Sequence, residues 1–467
     1  MATLLRAQNA AMLLKLESTE GVFATPSSST DGILVENPDV SFDPQNVETD
    51  EVTGSLDSRG PIVGGMQCSI TFDVYLKGGG NPGVAPEWDE AMQIASWAPT
   101  ATKTDLVATT FAVTGGVNFT DSANGLAAVT VGTVIYTSGY VNAANNGEFL
   151  VSVSAAGSLT VTKLDGSAPN LVNESAGASV TIRRGIAAVV ATAGLTTSFT
   201  AQAPWAATDQ IYRGMPVLLS GNPATPIWSV IADYLATRVA LITDLMGSTL
   251  NTSTKMSIPA NVLYKPISTA IPSGSIEFYL DGVKYQFAGC RGTAKFSFPA
   301  GGAPKASFSL TGMYVNKLDA AVPAVTYDGT RPGIWRASKF LLNRLVTALK
   351  MLNLDTGAQS QYPADPNQTE GFSSPQITDR NMSGDMDPYA TTIATRDIMA
   401  AFRSGVQAII NAVLIGGNAS NPGQRISVLV PKAQHISYKP GKDGKLATEQ
   451  VGFFPFGQDA GFFICIY

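Results

Sequence analysis

Residues 275–315, SIEFYLDGVKYQFAGCRGTAKFSFPAGGAPKASFSLTGMYV, carry the clearest structural signal in the chain. Ile276, Phe278 and Leu280 alternate with Glu277 and Tyr279, and Asp281-Gly282 follows at once. That dipeptide supplies the two positive-φ positions of a tight hairpin turn, so a second strand begins at Val283. Phe296 and Phe298 then alternate with Lys295 and Ser297, while Phe308, Leu310 and Tyr314 alternate with Ser307, Ser309 and Thr311. A period of two places the large groups on one side of each strand. The stretch predicts an antiparallel meander with one buried face, and it holds no evident chemistry.

The flanking sequence extends this pattern in both directions. Residues 66–77 (MQCSITFDVYLK) place Ile70, Phe72, Val74 and Leu76 on one face of a strand. Residues 33–42 read as an earlier strand, and residues 1–30 as an extended arm ending in TPSSSTDG. Between the two strands, residues 43–65 are polar and acidic, with Asp43, Glu48, Asp50, Glu51 and Asp57. A connection of that length is usually functional. Pro86, Glu87, Asp89 and Glu90 suit the start of a short helix, with Trp88, Ala91, Met92 and Ala95 facing the sheet.

The C-terminal part follows the same plan. Residues 338–354 are strand-rich, and residues 375–388 (PQITDRNMSGDMDP) read as a second acidic hairpin, with Asp379, Asp385 and Asp387. Thr395 is placed to cap a helix containing Ile398, Met399 and Phe402. Residues 406–415, 425–430 and 451–467 supply closing strands. Between the two plans, residues 132–139 (GTVIYTSG) parallel residues 214–221 (GMPVLLSG), and each copy ends in a Leu-x-Gly-Ser. Two copies of one small unit predict a β-sandwich or a pair of half-barrels. The expected fold is mainly β. It has two tandem barrel or sandwich domains, each with a short helix, over residues 1–104 with 258–318 and over residues 319–467. A β-sandwich domain over residues 105–257 interrupts the first.

Composition narrows the function. A net charge of −6, with Arg183-Arg184 the only adjacent basic pair, lacks the basic face of a nucleic-acid binder. Cys68, Cys290 and Cys465 are too far apart for a zinc motif or a disulfide framework. The N-terminus lacks the unbroken apolar core of a signal peptide, and the longest apolar run, residues 185–195, falls short of a membrane span. A soluble protein of the cytoplasm is expected. Gly78, Gly80 and Gly83 have dinucleotide-loop spacing, but the preceding strand alternates and Pro82 removes an amide, so no nucleotide is expected. His435 is the one histidine and has no nucleophile elbow beside it. The acidic clusters lack calcium-loop spacing. The expectation is a non-enzymatic chain without cofactor or metal.

Several segments resemble phage tail tube proteins: residues 14–26 (LKLESTEGVFATP), 52–80, 85–97 (APEWDEAMQIASW), the meander of residues 276–314, residues 377–388 and residues 428–444. The resemblance implies a virion protein of a long-tailed phage, made in the host cytoplasm, whose rings stack into a hollow tube. DNA passes through such a tube without specific binding. The partners it implies are further copies of the chain, a tape measure protein, and the proteins that terminate and tip the tail. Family members are shorter and form six-membered rings, so a doubled chain implies a trimer with pseudo-sixfold symmetry, with a hexamer as the alternative. Asp43, Glu48, Asp50, Glu51, Asp57, Asp385 and Asp387 are the expected contacts between rings. A distal tail or adaptor ring protein is the second reading, and a carbohydrate-binding β-protein a more remote one.

Overall fold

Asp281 and Gly282 turn the chain with φ of 41° and 108°, the two positive values that a tight hairpin requires. The strands either side are Gly274–Leu280 and Val283–Pro299, and Lys305–Asp319 completes the meander. The computed structural model describes residues 5–49, 51, 52, 54, 57, 59–414 and 421–467. The chain is mainly β, with 49% strand and 4% helix, in curled half-barrel sheets.

The strands outside residues 103–260 are numbered here in chain order. They begin with β1 (Ala10–Leu16), β2 (Gly32–Ile33), β3 (Glu36–Pro44), β4 (Met66–Tyr75) and β5 (Trp97–Thr102). β6 (Asn261–Pro266), β7 (Gly274–Leu280), β8 (Val283–Pro299) and β9 (Lys305–Asp319) follow. Then come β10 (Lys339–Leu342), β11 (Leu345–Val346), β12 (Leu349–Asp355), β13 (Ala358–Gln361), β14 (Gln376–Arg380) and β15 (Ser383–Pro388). The last are β16 (Gln407–Leu414), β17 (Ile426–Asp443), β18 (Leu446–Pro455) and β19 (Phe463–Ile466). Helix α1 (Asp89–Ile94) precedes β5, and α2 (Ile398–Ser404) precedes β16.

The pairings occur twice in the same pattern. β1 pairs with β2 and β7, β7 with β8, β8 with β9, β9 with β4, and β4 with β3. β10 pairs with β11 and β16, β16 with β17, β17 with β18, β18 with β15, and β15 with β12. The two sets meet edge to edge, because Lys295–Pro299 of β8 pair with Met351–Asp355 of β12. One apolar core runs beneath both sets, from Ile70, Phe72 and Trp88 through Phe296 and Phe308 to Leu352, Met386 and Phe453.

Residues 103–260 leave and return at one place, where β5 pairs with β6 from Trp97↔Pro266 to Thr102↔Asn261. They form two seven-stranded sheets, over Thr104–Arg184 and Ile186–Ile258. The strands of each follow the same spatial order, with the first and last side by side and the middle hairpin beyond them. The paralleled octapeptides form corresponding strands, Val134–Ser138 and Pro216–Ser220. The first sheet curls over Phe111, Phe119, Phe149 and Ile182; the second curls over Phe199, Trp205, Tyr212 and Tyr234. The second core continues into Leu263, Leu429 and Phe463, so this segment is docked against the other strands as well as tethered to them.

Four expectations are corrected. The N-terminal segment is not an arm throughout: β1 lies between β2 and β7. AAMLLKL is apolar on both sides, with Met12 and Leu14 in the main core and Ala11 and Leu13 packed against Tyr279. β7 is likewise buried on both faces, because residues 320–325 cover the second one. Glu277 is therefore buried, where it accepts hydrogen bonds from Lys284 (2.8 Å), Gln286 (2.8 Å) and Tyr279 (2.6 Å). The cap of α2 is Asp397, whose Oδ1 accepts from the Ala400 amide at 2.8 Å, while Thr395 belongs to the preceding turn. Residues 375–388 are not a hairpin: they hold β14 and β15, which pair with separate partners. The connection corresponding to residues 43–65 is residues 356–382.

Trp88 is fully buried and its Nε1 donates to the Lys77 carbonyl at 3.0 Å, which fixes α1 on the sheet. In the helix's first turn, burial pushes the Glu90 carboxyl up to about 7, and Asp31 and Asp89 add to the push. The folded chain thus binds this proton more tightly than the unfolded one. The stability that protonated Glu90 contributes is present below 4.5 and is lost as pH rises through about 7. Glu90→Gln is expected to raise the denaturant midpoint at pH 8 and leave it unchanged at pH 4. Equal shifts at both pH values would refute this.

Candidate functional site: a polar sheet face between two open edges

The edge-to-edge joint makes one eight-stranded surface, in the order β3-β4-β9-β8-β12-β15-β18-β17. Alternation divides its residues. Ile70, Phe72, Phe296, Phe308, Leu352, Leu354, Met386 and Phe453 point into the core, none more than 2% exposed. The opposite face is polar across every strand. One row runs Asp73, Ser307, Lys295, Asp355, Ser383. The next runs Tyr75, Lys305, Ser297, Asn353, Asp385, Gly452, Ser437.

Carboxylates outnumber amines on this face. Asp39, Asp43, Asp73, Asp355, Asp385, Asp387 and Asp443 stand against Lys295, Lys305, Lys350 and Lys439. Three of the amines are engaged by carboxylates, Lys295 with Asp355 at 3.3 Å, Lys305 with Glu36 at 2.5 Å and Lys350 with Asp443 at 3.1 Å. Burial and the adjacent Asp385 raise the Asp387 pKa above the ordinary aspartate value, as a concentration of like charge should.

Both ends of this surface are open. Among the described residues, β3 has no strand partner but β4, and residues 435–443 of β17 have none but β18. The two edges differ in charge. β3 carries Glu36, Asp39 and Asp43, while β17 and its turn carry Lys439, Lys442 and Lys445 against the single carboxylate of Asp443. In the joint within the chain the same polarity occurs, with Lys295 on the β8 side and Asp355 on the β12 side.

The acidic residues singled out from the sequence separate into two groups. Asp43 lies exposed at the end of β3; Glu48 and Asp57 are exposed in the following connection, where Glu51 pairs with Arg59 at 2.5 Å. Asp50 lies outside the described residues. Asp385 and Asp387 stand mid-sheet on β15, and Asp385 accepts from Asn353 at 2.7 Å. Asp379 is on β14, apart from both. Strand register gathers carboxylates from β3, β4, β12 and β15 onto one face, and of the acidic groups read from sequence it parts Asp379 from Asp385 and Asp387.

The residues considered for catalysis have structural surroundings. His435 is buried with both ring nitrogens unpartnered, and burial holds its pKa below the usual histidine value. The three cysteines are buried and unpaired; burial pushes the Cys68 thiol up to about 12 and raises Cys290 and Cys465 as well. Gly78 is required by packing, since a Cβ there would meet the Gly423 carbonyl at 1.8 Å. Among the described residues no group of histidine, cysteine and carboxylate side chains could hold a metal, and no helix is long and apolar enough to cross a membrane. No protein-family model matches the chain, and no curated protein does.

Proposed function

We propose that this protein is a phage tail tube subunit whose rings stack into a conduit for DNA. The observation that carries the reading is the joint between β8 and β12. Each set of strands is one tube-type domain, and together they display a contact that a ring would repeat between chains. β17 of one copy then pairs with β3 of the next, as β8 pairs with β12. Closure removes both open edges, which otherwise invite uncontrolled pairing. Three chains supply six domains and give a pseudo-sixfold ring. Heterologous stacking of such rings generates an open tube.

The polar, acid-rich face is the lumen in this reading. Duplex DNA is a dense line of negative charge, and a surface with more carboxylates than amines gives it no binding site. Residues 103–260, attached through β5 and β6 and packed on β19, form the inserted domain and project outward.

Electron microscopy of the concentrated, purified protein tests this. Tubes with three peripheral lobes in end-on views are expected. Six lobes would keep the tube and remove the doubled domain. Single rings that never stack would favour the adaptor protein, and monomers at every concentration would overturn the assignment.

A further inference from the structure

The connection between β12 and β15, residues 356–382, does not project from the molecule. It lies across the first set of strands. Tyr362 Oη is within hydrogen-bonding distance of the Gly312 and Cys68 carbonyls (2.9 and 3.1 Å), and Ser360 Oγ lies 2.8 Å from Thr311 Oγ1. Arg291 Nη1 donates to the Pro375 carbonyl at 3.0 Å. Ser374 packs so closely over Met313 and Gly289 that a Cβ on Gly289 would meet its Oγ at 2.6 Å.

The described residues of the corresponding connection of the first set, within 45–65, are mostly exposed, with Gly65 at its end packed against Glu370 and Phe372. Its base is built the same way, with Gln45 N donating to Gly65 O at 2.8 Å and a bridge between Val47 and Ile62. Its apolar side chains stand in solvent: Val47 is 57%, Ile62 60% and Val63 72% exposed. The seat it would occupy can be located by register. A bulge lies just before the Arg291↔Thr311 pair in β8 and just before the Ser437↔Gly452 pair in β17. Counting from it, Gly312 and Met313 correspond to Phe453 and Phe454. At that position Phe454 is 38% and the bulged Ile436 55% exposed. Lys432 and Lys439 flank them, opposite in sign to the Asp43 and Glu48 of the connection.

We propose that the connection of residues 45–65 is a lateral latch. Its Val47 and Ile62 cover Ile436 and Phe454 of the adjacent copy in the same ring, as residues 356–382 cover the first set within the chain. This rests on the ring reading above, and it redirects an acidic segment expected to join successive rings into a contact within one ring. Burying these side chains adds hydrophobic contact beside the strand pairing, so the latch and the β3 edge engage the same neighbour.

Disulfide trapping tests the latch. Ile62→Cys and Phe454→Cys are placed in one chain, with Val47→Cys and Ile436→Cys as an independent second pair; single substitutions serve as controls. The native thiols are buried and contribute little background. After oxidation of assembled protein, a denaturing, non-reducing gel is expected to show a covalent ladder. The ladder should stop at the number of chains counted per ring in end-on views, with at least half the protein in the final band. A ladder running beyond that number places the contact between rings and overturns the latch. Well-formed tubes without cross-links in either pair also overturn it and leave the tube reading intact. Wild-type protein that forms no rings removes both.

Discussion

Replacing Lys439, Lys442 and Lys445 together by Glu is expected to abolish tube formation while leaving the monomer folded. All three side chains are exposed and among the described residues none carries an ion pair, so the change in folding stability should stay within about 0.5 kcal/mol for each substitution. At the ring contact the effect is large. Transferring the register of the internal joint, in which Lys295 faces Asp355 and Ser297 faces Asn353, sets Gly441 against Asp43 and Asp443 against Ser41 of the next copy. The lysines on either side of Gly441 then lie along Asp39, Asp43 and Glu36. Reversing their sign places like charges along a desolvating strand pair, which costs several kcal/mol. At 1.4 kcal/mol per factor of ten, the concentration needed for assembly should rise by at least about 100-fold. Adding Asp39→Lys and Asp43→Lys to the same chain restores opposite signs and should restore tubes, whereas those two changes alone should also prevent them. Sedimentation of assembled material against protein concentration reads the result. Tubes formed at the wild-type concentration by the triple variant would show that these edges do not meet.

The rescue matters because loss of assembly alone has many causes. A chain that fails with either edge reversed and recovers with both reversed has identified two surfaces that touch. No similar argument could have been made from sequence, where β3 and the KPGKDGK segment are nearly 400 residues apart.

What the sequence reveals is local. The Asp281-Gly282 turn was legible because positive φ at two successive positions admits few residue types. Residues 66–77 were legible because a strand with one face against a core must alternate, and Ile70, Phe72, Val74 and Leu76 are all buried. Trp88 was legible from helical spacing. The internal repeat of residues 132–139 and 214–221 also maps onto corresponding strands. Glu277 misled because its strand alternates like a half-exposed one while a distant segment covers the second face. Its partners Lys284 and Gln286 lie across the hairpin, and only the register shows that they converge. Likewise Glu17 lies in the segment read from sequence as an extended arm. It accepts from the Gly289 amide (2.7 Å), Ser273 (2.6 Å) and Ser275 (2.8 Å), a tether to the meander. The polar face was hidden for the same reason. Ser, Thr and Asp on eight strands form one surface only when all their registers are known.

Arg425→Ala is expected to destabilise the protein by about 3–5 kcal/mol and to loosen residues 103–260 before the rest unfolds. Arg425 is 2% exposed and sits where three parts of the chain meet. Its Nη2 contacts Glu148 of the sheet over Thr104–Arg184. Its guanidinium lies 5.1 Å from the ring of Trp228, in the sheet over Ile186–Ile258, and 5.1 Å from that of Tyr467. Its backbone pairs with Tyr467 in both directions, at 2.9 and 3.1 Å. Truncation leaves the Glu148 carboxylate buried without a counter-charge, the costly half of any buried ion pair, and removes two cation–π contacts in a desolvated site. Arg425→Lys should recover little, because a point charge cannot lie flat against the neighbouring rings or present a planar fork. Because Nε and Nη1 have no hydrogen-bond partner among the described residues, the pair is itself incompletely compensated. Arg425→Met with Glu148→Leu should therefore regain most of the loss. Hydrogen exchange across β5 and β6, the paired strands at the base of residues 103–260, separates local loosening from global destabilisation. Faster exchange there in Arg425→Ala, reversed in the double variant, is the expected pattern. A loss below about 1 kcal/mol with unchanged exchange would mean that the apolar contacts through Leu263, Leu429 and Phe463 hold residues 103–260 without the arginine.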